Sequence, residues 1–295
     1  MYAQFFGSFL LRNEAVTTEQ LLDAFSKMKN ARIRLGTLAM HKGLMTAAEV
    51  DECCFIQTRE DKRFGEIALD RGYLTFDQVE ELLRSQGADY LLLGQILVEN
   101  QVFNNEDFSK YLKAYQQESK IAEDDMDMQD KETIKGLIEQ FCTVAETPVS
   151  EHVVMFLNLL FNDLIRFIGE DFTPLAPKLC KEFPVKYCVC QSIDSVDYSS
   201  DTYVDMDENA AIEFASRYAK DQFTEFDEYV QASLEDFLNL HNGLFLVNMS
   251  NLYSIECSLK PPYSVENNIA IEDGKSLLSL PIVYPFGTIQ LLITV

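Results

Sequence analysis

Residues 34–50 read RLGTLAMHKGLMTAAEV, and residues 63–79 read RFGEIALDRGYLTFDQV. The two stretches align without a gap, Gly36 on Gly65, Gly43 on Gly72, Thr46 on Thr75 and Val50 on Val79. The pattern extends both ways, because Gly7, Gly36, Gly65 and Gly94 follow one another at 29-residue intervals. A fixed period of this length marks an internal repeat, so four copies are expected over residues 1–118.

Ten residues after each glycine stands Thr17, Thr46, Thr75 or Asn104, and three residues further Gln20, Glu49, Gln78 or Asp107. That pairing predicts a helix N-cap with a capping box. Val16, Met45, Leu74 and Phe103 precede the caps, and Leu21, Val50, Val79 and Phe108 lie four residues beyond them, supplying a hydrophobic staple. Each repeat reads as a short helix after the glycine, a turn, and a longer amphipathic helix such as 75–86, with Val79, Leu82 and Leu83 on one face. Gly43 and Gly72 are placed to end the short helices, and Asn13 and Asn100 stand near that point in the outer copies. One unit cannot bury its apolar face alone. A stack of four is expected, with the outer copies as caps.

The chain carries 24 Lys+Arg against 48 Asp+Glu, a net charge of −24, which argues against a nucleic-acid or anionic-lipid surface. Residues 1–118 hold 13 basic and 18 acidic side chains, leaving 11 and 30 for the remainder, so the acidity belongs to the second half. A hydrophobic share of 47% excludes a disordered acidic chain. The richest apolar stretch, 153–168, is broken by Asn158, Asn162, Asp163 and Arg166, so no membrane insertion is expected. The first residues show no basic n-region. Seven cysteines without CxxC spacing and three scattered histidines, His41, His152 and His241, suggest neither disulfides nor a metal site, and a reducing cytoplasm fits.

The middle repeats resemble the tandem 24-residue motif of MshEN-type domains, the N-terminal modules of type II secretion and pilus ATPases. Arg34-Leu35-Gly36 through Gly43 to Gln57 and Arg63-Phe64-Gly65 through Gly72 to Gln86 match it, with the five residues 58–62 between the copies. The resemblance implies cyclic di-GMP binding, with Arg34, Gly36, Gly43, Gln57, Arg63, Gly65, Gly72 and Gln86 as the binding set. Phe64 and Cys54 depart from the motif's leucines, and the outer repeats lack the Arg, the second Gly and the Gln. The other reading makes the glycines structural, for close helix packing and helix termination, and the arginines surface cations.

Residues 119–147 read as an acidic linker or helix, and 148–295 as the second domain. There an apolar stripe at Val153, Phe156, Leu157, Leu160, Phe161, Leu164 and Ile168 predicts a helix. A strand-like run at 185–193, a turn-rich 198–202 and a helix over 210–223 follow. A long helix is expected from the cap Thr224 to about Ser250, then strands near 253–259, 276–283 and 288–295, with Pro261-Pro262 and Asp273-Gly274 as punctuation. The mixture predicts an α/β (α+β) sandwich with helices on one face of a sheet.

At 100° per residue, Phe226, Val230, Leu234, Phe237, His241, Leu244 and Asn248 form one stripe of the long helix, expected to pack on the sheet. Asn239 falls opposite, with Glu235, Asp236, Ala232 and Gly243 on the same outward face. Such a face suits either a partner's cleft or plain solvent. Asp236-Phe-Leu-Asn239-Leu-His-Asn-Gly243, followed by Asn248-Met-Ser, is similar to the ExxN(x3)G helix of the CheX/CheC chemotaxis phosphatases. The similarity extends over about 150–295, with Phe156-Leu-Asn158, Phe172-Thr-Pro174 and Phe286-Gly-Thr-Ile. It implies that Asn239 positions the water that hydrolyses the aspartyl phosphate of a CheY-type receiver, which brings its own Mg²⁺. Asp236, in place of the family's Glu, becomes the acid that engages the receiver's lysine, with Glu235 as the substitute acid. It also implies a homodimer through the sheet.

The sequence therefore describes a two-domain bacterial signalling protein: an all-α four-repeat array for sensing or docking, then a CheX-like α/β domain acting on a phosphorylated receiver. The alternative is a non-catalytic adaptor that binds partners through both domains.

Overall fold

A computed structural model describes residues 1–85, 87–119, 131–266 and 270–295, and the chain divides into two compact units, Tyr2–Thr133 and Ile134–Val295 together with Met1. The second unit starts earlier than the expected boundary at 148.

The first unit is all-helical: α1 (Tyr2–Arg12), α2 (Thr18–Met28), α3 (Leu35–His41), α4 (Ala47–Gln57), α5 (Phe64–Asp70), α6 (Phe76–Arg84), α7 (Asp89–Glu99) and α8 (Asn105–Ser119). The expected capping devices are present. Gln20, Glu49 and Gln78 close reciprocal boxes with Thr17, Thr46 and Thr75, and Asn104 Oδ1 accepts from the Asp107 N–H at 2.8 Å. Gly43 and Gly72 take φ of +65° and +72°. In the outer pairs, however, the left-handed residue is Glu14 or Gln101 rather than Asn13 or Asn100. Those four positions are each 29 residues from the next, so register overrides the residue type that favours αL. Asn13 instead donates its side-chain amide to the Phe9 carbonyl.

The glycine does not precede its helix, as the sequence suggested, but lies inside it: second in the seven-residue α3 and α5, sixth in the eleven-residue α1 and α7. Leu83 is also misplaced by periodicity, being 71% exposed while Val79 and Leu82 are buried. A linear stack capped by the first and fourth pairs is not what forms. α7 packs on α1 and α2 and also touches α3, so the fourth pair lies beside the first and second, while α5 and α6 pack on α3 and α4. The reason is that α1 and α7 are apolar nearly all round, burying Phe5, Phe6, Phe9 and Leu10 from one and Tyr90, Leu91, Leu93, Ile96 and Leu97 from the other. Helices of that kind must be covered on every side. Phe6 makes ring contacts with Tyr90, Phe108 and Tyr115 at centroid distances of 6.1, 6.5 and 5.2 Å.

The second unit is α/β. Its helices are α9 (Lys131–Val144), α10 (Glu151–Phe167), α11 (Glu208–Ala219) and α12 (Glu228–Tyr253). Its strands are β1 (Thr173–Pro174), β2 (Lys178–Pro184), β3 (Tyr187–Asp194), β4 (Ser199–Met206), β5 (Ser258–Leu259), β6 (Tyr263–Glu266), β7 (Ala270–Tyr284) and β8 (Gly287–Thr294). The sheet is antiparallel in the order β1-β7-β8-β4-β3-β5, with β2 also on β7 and β6 also on β3. α9 falls in the expected linker, yet its Leu137, Ile138, Phe141 and Cys142 are buried. Within that linker, 120–130 lie outside the described residues.

α12 packs on β3, β5 and β6, α11 on α12 and β8, and α10 on α12. All seven residues of the predicted α10 stripe are buried. The opposite sheet face holds a small core of Val185, Cys188, Cys190, Tyr203, Leu277 and Leu292. Three sequence expectations fail here. All of the turn-rich 198–202 but Tyr198 belongs to β4, Asp273-Gly274 lies within β7, and 253–257 is not strand. Polar Ser199, Ser200, Asp201 and Thr202 resemble a turn, but all four pair with β3, Thr202 also pairs with β8, and the Asp201 N–H bonds Thr294 Oγ1. No helix among the described residues is long and apolar enough to cross a membrane.

Candidate functional site

Asp227 caps α12, its side chain accepting from the Tyr229 and Val230 N–H groups, so the cap lies three residues after the expected Thr224. Its buried residues are Val230, Leu234, Phe237, Leu238, His241, Asn242, Phe245 and Met249. Leu244 is 39% exposed, Asn248 is half-buried, and Phe226 precedes the helix and packs on the Tyr187 ring at 4.6 Å. The buried stripe thus drifts one position past His241 relative to the sequence reading. His241 Nδ1 and Asp163 Oδ2 of α10 lie 2.8 Å apart in the core. Burial pushes the imidazole below its ordinary range, and Asp163 opposes that shift.

The stripe turns Ala232, Asp236, Gly243 and Val247 outward, with Asn239 on the flank of that face. Asp236 and Asn239 are both exposed, but they are not held from the same side. Asp236 Oδ2 accepts from the Tyr218 hydroxyl of α11 at 2.6 Å, and burial followed by this bond raises the phenol above its ordinary range. Asn239 Oδ1 accepts from Gln191 Nε2 of β3 at 2.7 Å. Glu235 Oε1 accepts from Ser264 Oγ of β6 and from Gln231 Nε2 one turn earlier on α12, each at 2.9 Å. The three residues that the sequence placed on one outward face therefore separate. Asp236 leans on α11, and Glu235 and Asn239 lean on the β3–β6 edge.

Gly243 stands on the outward face with nothing within 4 Å of where a Cβ would lie. Beside it, Leu244 and Val247 are 39% and 55% exposed. The arrangement offers a primary amide and a carboxylate beside an apolar, sterically open strip of helix. Sequence reasoning missed Gln191, Tyr218 and Ser264. Gln191 alone left a signal, a polar residue on the period-two face of β3 that otherwise carries Val189 and Ile193.

In the first unit, Arg34, Gly36 and Gln57 line one cavity of about 390 Å³ with Leu35, Val50 and Phe64. Glu99 Oε1 lies 3.1 Å from the Arg34 guanidinium, and Gln95 fixes that carboxylate with a 2.8 Å bond while accepting from the Arg34 N–H at 2.7 Å. Gln57 donates to the Lys62 carbonyl at 3.3 Å. Arg63, Gly65 and Gly72 do not line that cavity, Gly43 opens on a different one, and Gln86 lies outside the described residues. A Cβ at Gly36 would meet Phe64 and Val50 at 3.0 Å, and one at Gly65 would meet Val79 at 3.2 Å. Both glycines are packing sites.

No protein-family model matches the chain, and no curated protein is similar to it in sequence. Among solved structures, the C-terminal half is similar to the chemotaxis protein CheX from Vibrio vulnificus, with 17% identity, 49% of this chain and 99% of that one covered, and a TM-score of 0.44. It is likewise similar to a CheC-like superfamily protein from Shewanella sp. PV-4, with 18% identity, 48% and 96% covered, and a TM-score of 0.44. A CheX–CheY–BeF3–Mg²⁺ complex from Borrelia burgdorferi contains a third such chain, with 19% identity, 48% and 96% covered, and a TM-score of 0.40.

Proposed function

We propose that the second unit docks on a phosphorylated CheY-type receiver through the outward face of α12 and accelerates hydrolysis of its aspartyl phosphate. The observation that carries the reading is Gly243. A glycine inside a helix costs about 0.5–1 kcal/mol relative to alanine. No neighbour among the described residues requires it, since nothing there comes within 4 Å of where its Cβ would lie. Its use lies outside the chain, in letting another surface come close beside Asp236 and Asn239. The receiver supplies the phosphoryl group and its Mg²⁺. This chain adds an oriented amide at Asn239 for the attacking water, and a carboxylate at Asp236, held by Tyr218, for the receiver's lysine. Glu235 is committed to Ser264 and Gln231 and is not the acid.

The test is the decay of a phosphorylated receiver with and without the protein. Faster decay supports the phosphatase, and unchanged decay with every cognate receiver leaves the non-catalytic adaptor. Gly243→Ala separates docking from folding. It is expected to raise stability by about 0.5–1 kcal/mol, seen in thermal unfolding, while weakening receiver binding several-fold. Unchanged binding would remove the docking face.

For the first unit the geometry favours a packing and docking module built from four related helix pairs. Gly36 and Gly65 serve packing, Gly43 and Gly72 serve turns, and Arg34 is neutralised by Glu99. Cyclic di-GMP is the ligand that the cavity at Arg34, Gly36 and Gln57 would take under the other reading. Calorimetric titration is expected to be flat, and saturable heat lost on Arg34→Ala would overturn the docking module.

A further inference from the structure

Five hydrogen bonds in the second unit join Thr202, Asn242, Gln191, Lys260 and Asn239, and their directions fix which way the Gln191 amide faces. Thr202 Oγ1 of β4 donates to the Gln191 carbonyl at 3.1 Å, so its oxygen is left to accept. It accepts from Asn242 Nδ2 of α12 at 2.8 Å, and the second hydrogen of that amide goes to Gln191 Oε1, also at 2.8 Å. Gln191 must then present its NH2 group to what remains. It donates to the Lys260 carbonyl at 3.0 Å and to Asn239 Oδ1 at 2.7 Å. A main-chain carbonyl only accepts, so Lys260 fixes the polarity independently. The Lys260 N–H in turn bonds the Ser192 carbonyl at 3.1 Å, and Pro261-Pro262 follows it, which holds that carbonyl beside β3. Gln191, Thr202 and Asn242 are fully buried or nearly so. The chain of bonds is kept even though Asn242 Oδ1 finds no partner among the described residues.

We infer that Gln191 is a positioning residue that locks the Asn239 side chain with Oδ1 turned to the sheet and Nδ2 turned outward. Asn239 thereby faces its partner as a hydrogen-bond donor, with no rotation needed when the partner arrives. An amide that could flip would present its acceptor about as often as its donor, and the donor is the group that can bind a negatively charged phosphoryl oxygen, or one lone pair of the water while its other lone pair faces phosphorus. A glutamine suits the task because one planar amide can accept from α12 on one side and donate on the other. This inference rests on the phosphatase reading for its kinetic consequence, but the orientation of Asn239 does not.

The kinetic arm uses Gln191→Met, which keeps the chain length and removes the donor. With the receiver varied in concentration, the maximal acceleration is expected to fall about tenfold while the concentration for half-maximal effect stays unchanged. An unchanged maximum, in a wild-type protein whose activity Asn239→Ala abolishes, overturns the inference. A wild type that never accelerates decay counts against the phosphatase reading instead. The orientation arm needs neither activity nor a variant. In side-chain amide NMR of the wild type, the Gln191 Nε2 protons are expected to be protected from water exchange and the Asn239 Nδ2 protons to exchange freely. Protected Asn239 Nδ2 protons would overturn the inference whatever the kinetic result.

Discussion

Asn239→Ala is expected to lower the acceleration of receiver dephosphorylation by on the order of 10²-fold, the typical loss on removing one preorganised donor. The size of the effect follows from what the chain contributes. The reacting bond belongs to the receiver, so this protein supplies orientation and electrostatic stabilisation rather than a nucleophile of its own. Asn239 is exposed, and among the described residues its side chain is bonded to Gln191 rather than buried in the core, so its truncation leaves the core of α12 intact. Folding and receiver affinity are expected to stay near wild type, which makes the change one of rate. The measurement is single-turnover decay of the phosphorylated receiver at saturating protein. A variant that retains most of the acceleration would remove Asn239 from the mechanism. Asp236→Ala is its natural companion, since the Tyr218 hydroxyl would lose its acceptor as well.

Gly94→Ala is expected to cost more stability than the same change at Gly36 or Gly65, about 3 kcal/mol, at the upper end for overpacking a core. A Cβ there would fall within contact distance of three ring atoms of Phe108, with Cδ2 at 2.7 Å. The ring cannot yield. Phe108 is 1% exposed and packed between Phe103 and Phe6, at centroid distances of 6.2 and 6.5 Å. Gly43→Ala and Gly72→Ala provide the contrast. Both positions are open, so only the left-handed backbone is strained, and about 1 kcal/mol is expected at each. Denaturant unfolding of the three variants tests the ranking, and a loss at Gly94 no larger than at Gly43 would refute it.

The legible and illegible parts of this protein divide by the range of the interactions concerned. Thr17, Thr46, Thr75 and Asn104 cap their helices through bonds to the third residue on, so both partners lie in one short window of sequence. The turns at Glu14, Gly43, Gly72 and Gln101 are local in the same way, and the 29-residue register places them even where the residue type does not. The buried stripe of α10 was readable because apolar side chains recur along it without interruption. α12 was readable only in part, because His241 and Asn242 are polar yet fully buried, and hydropathy alone rotates the stripe toward Leu244.

By itself, then, the sequence determined the capped helix starts of the repeats, the repeat period, the α/β character of the second half and the presence of Asp236, Asn239 and Gly243 on one helix. Tertiary structure decided what those elements do to one another. It set the fourth helix pair beside the first, because α1 and α7 are apolar on all sides and no local rule names their cover. It made polar 199–202 the start of a strand whose 202–205 are paired on both edges. It also separated Asp236 from Asn239, giving one to Tyr218 and the other to Gln191, since a hydrogen bond needs its partner within about 3 Å in space and takes no account of the 18 or 48 residues between them along the chain.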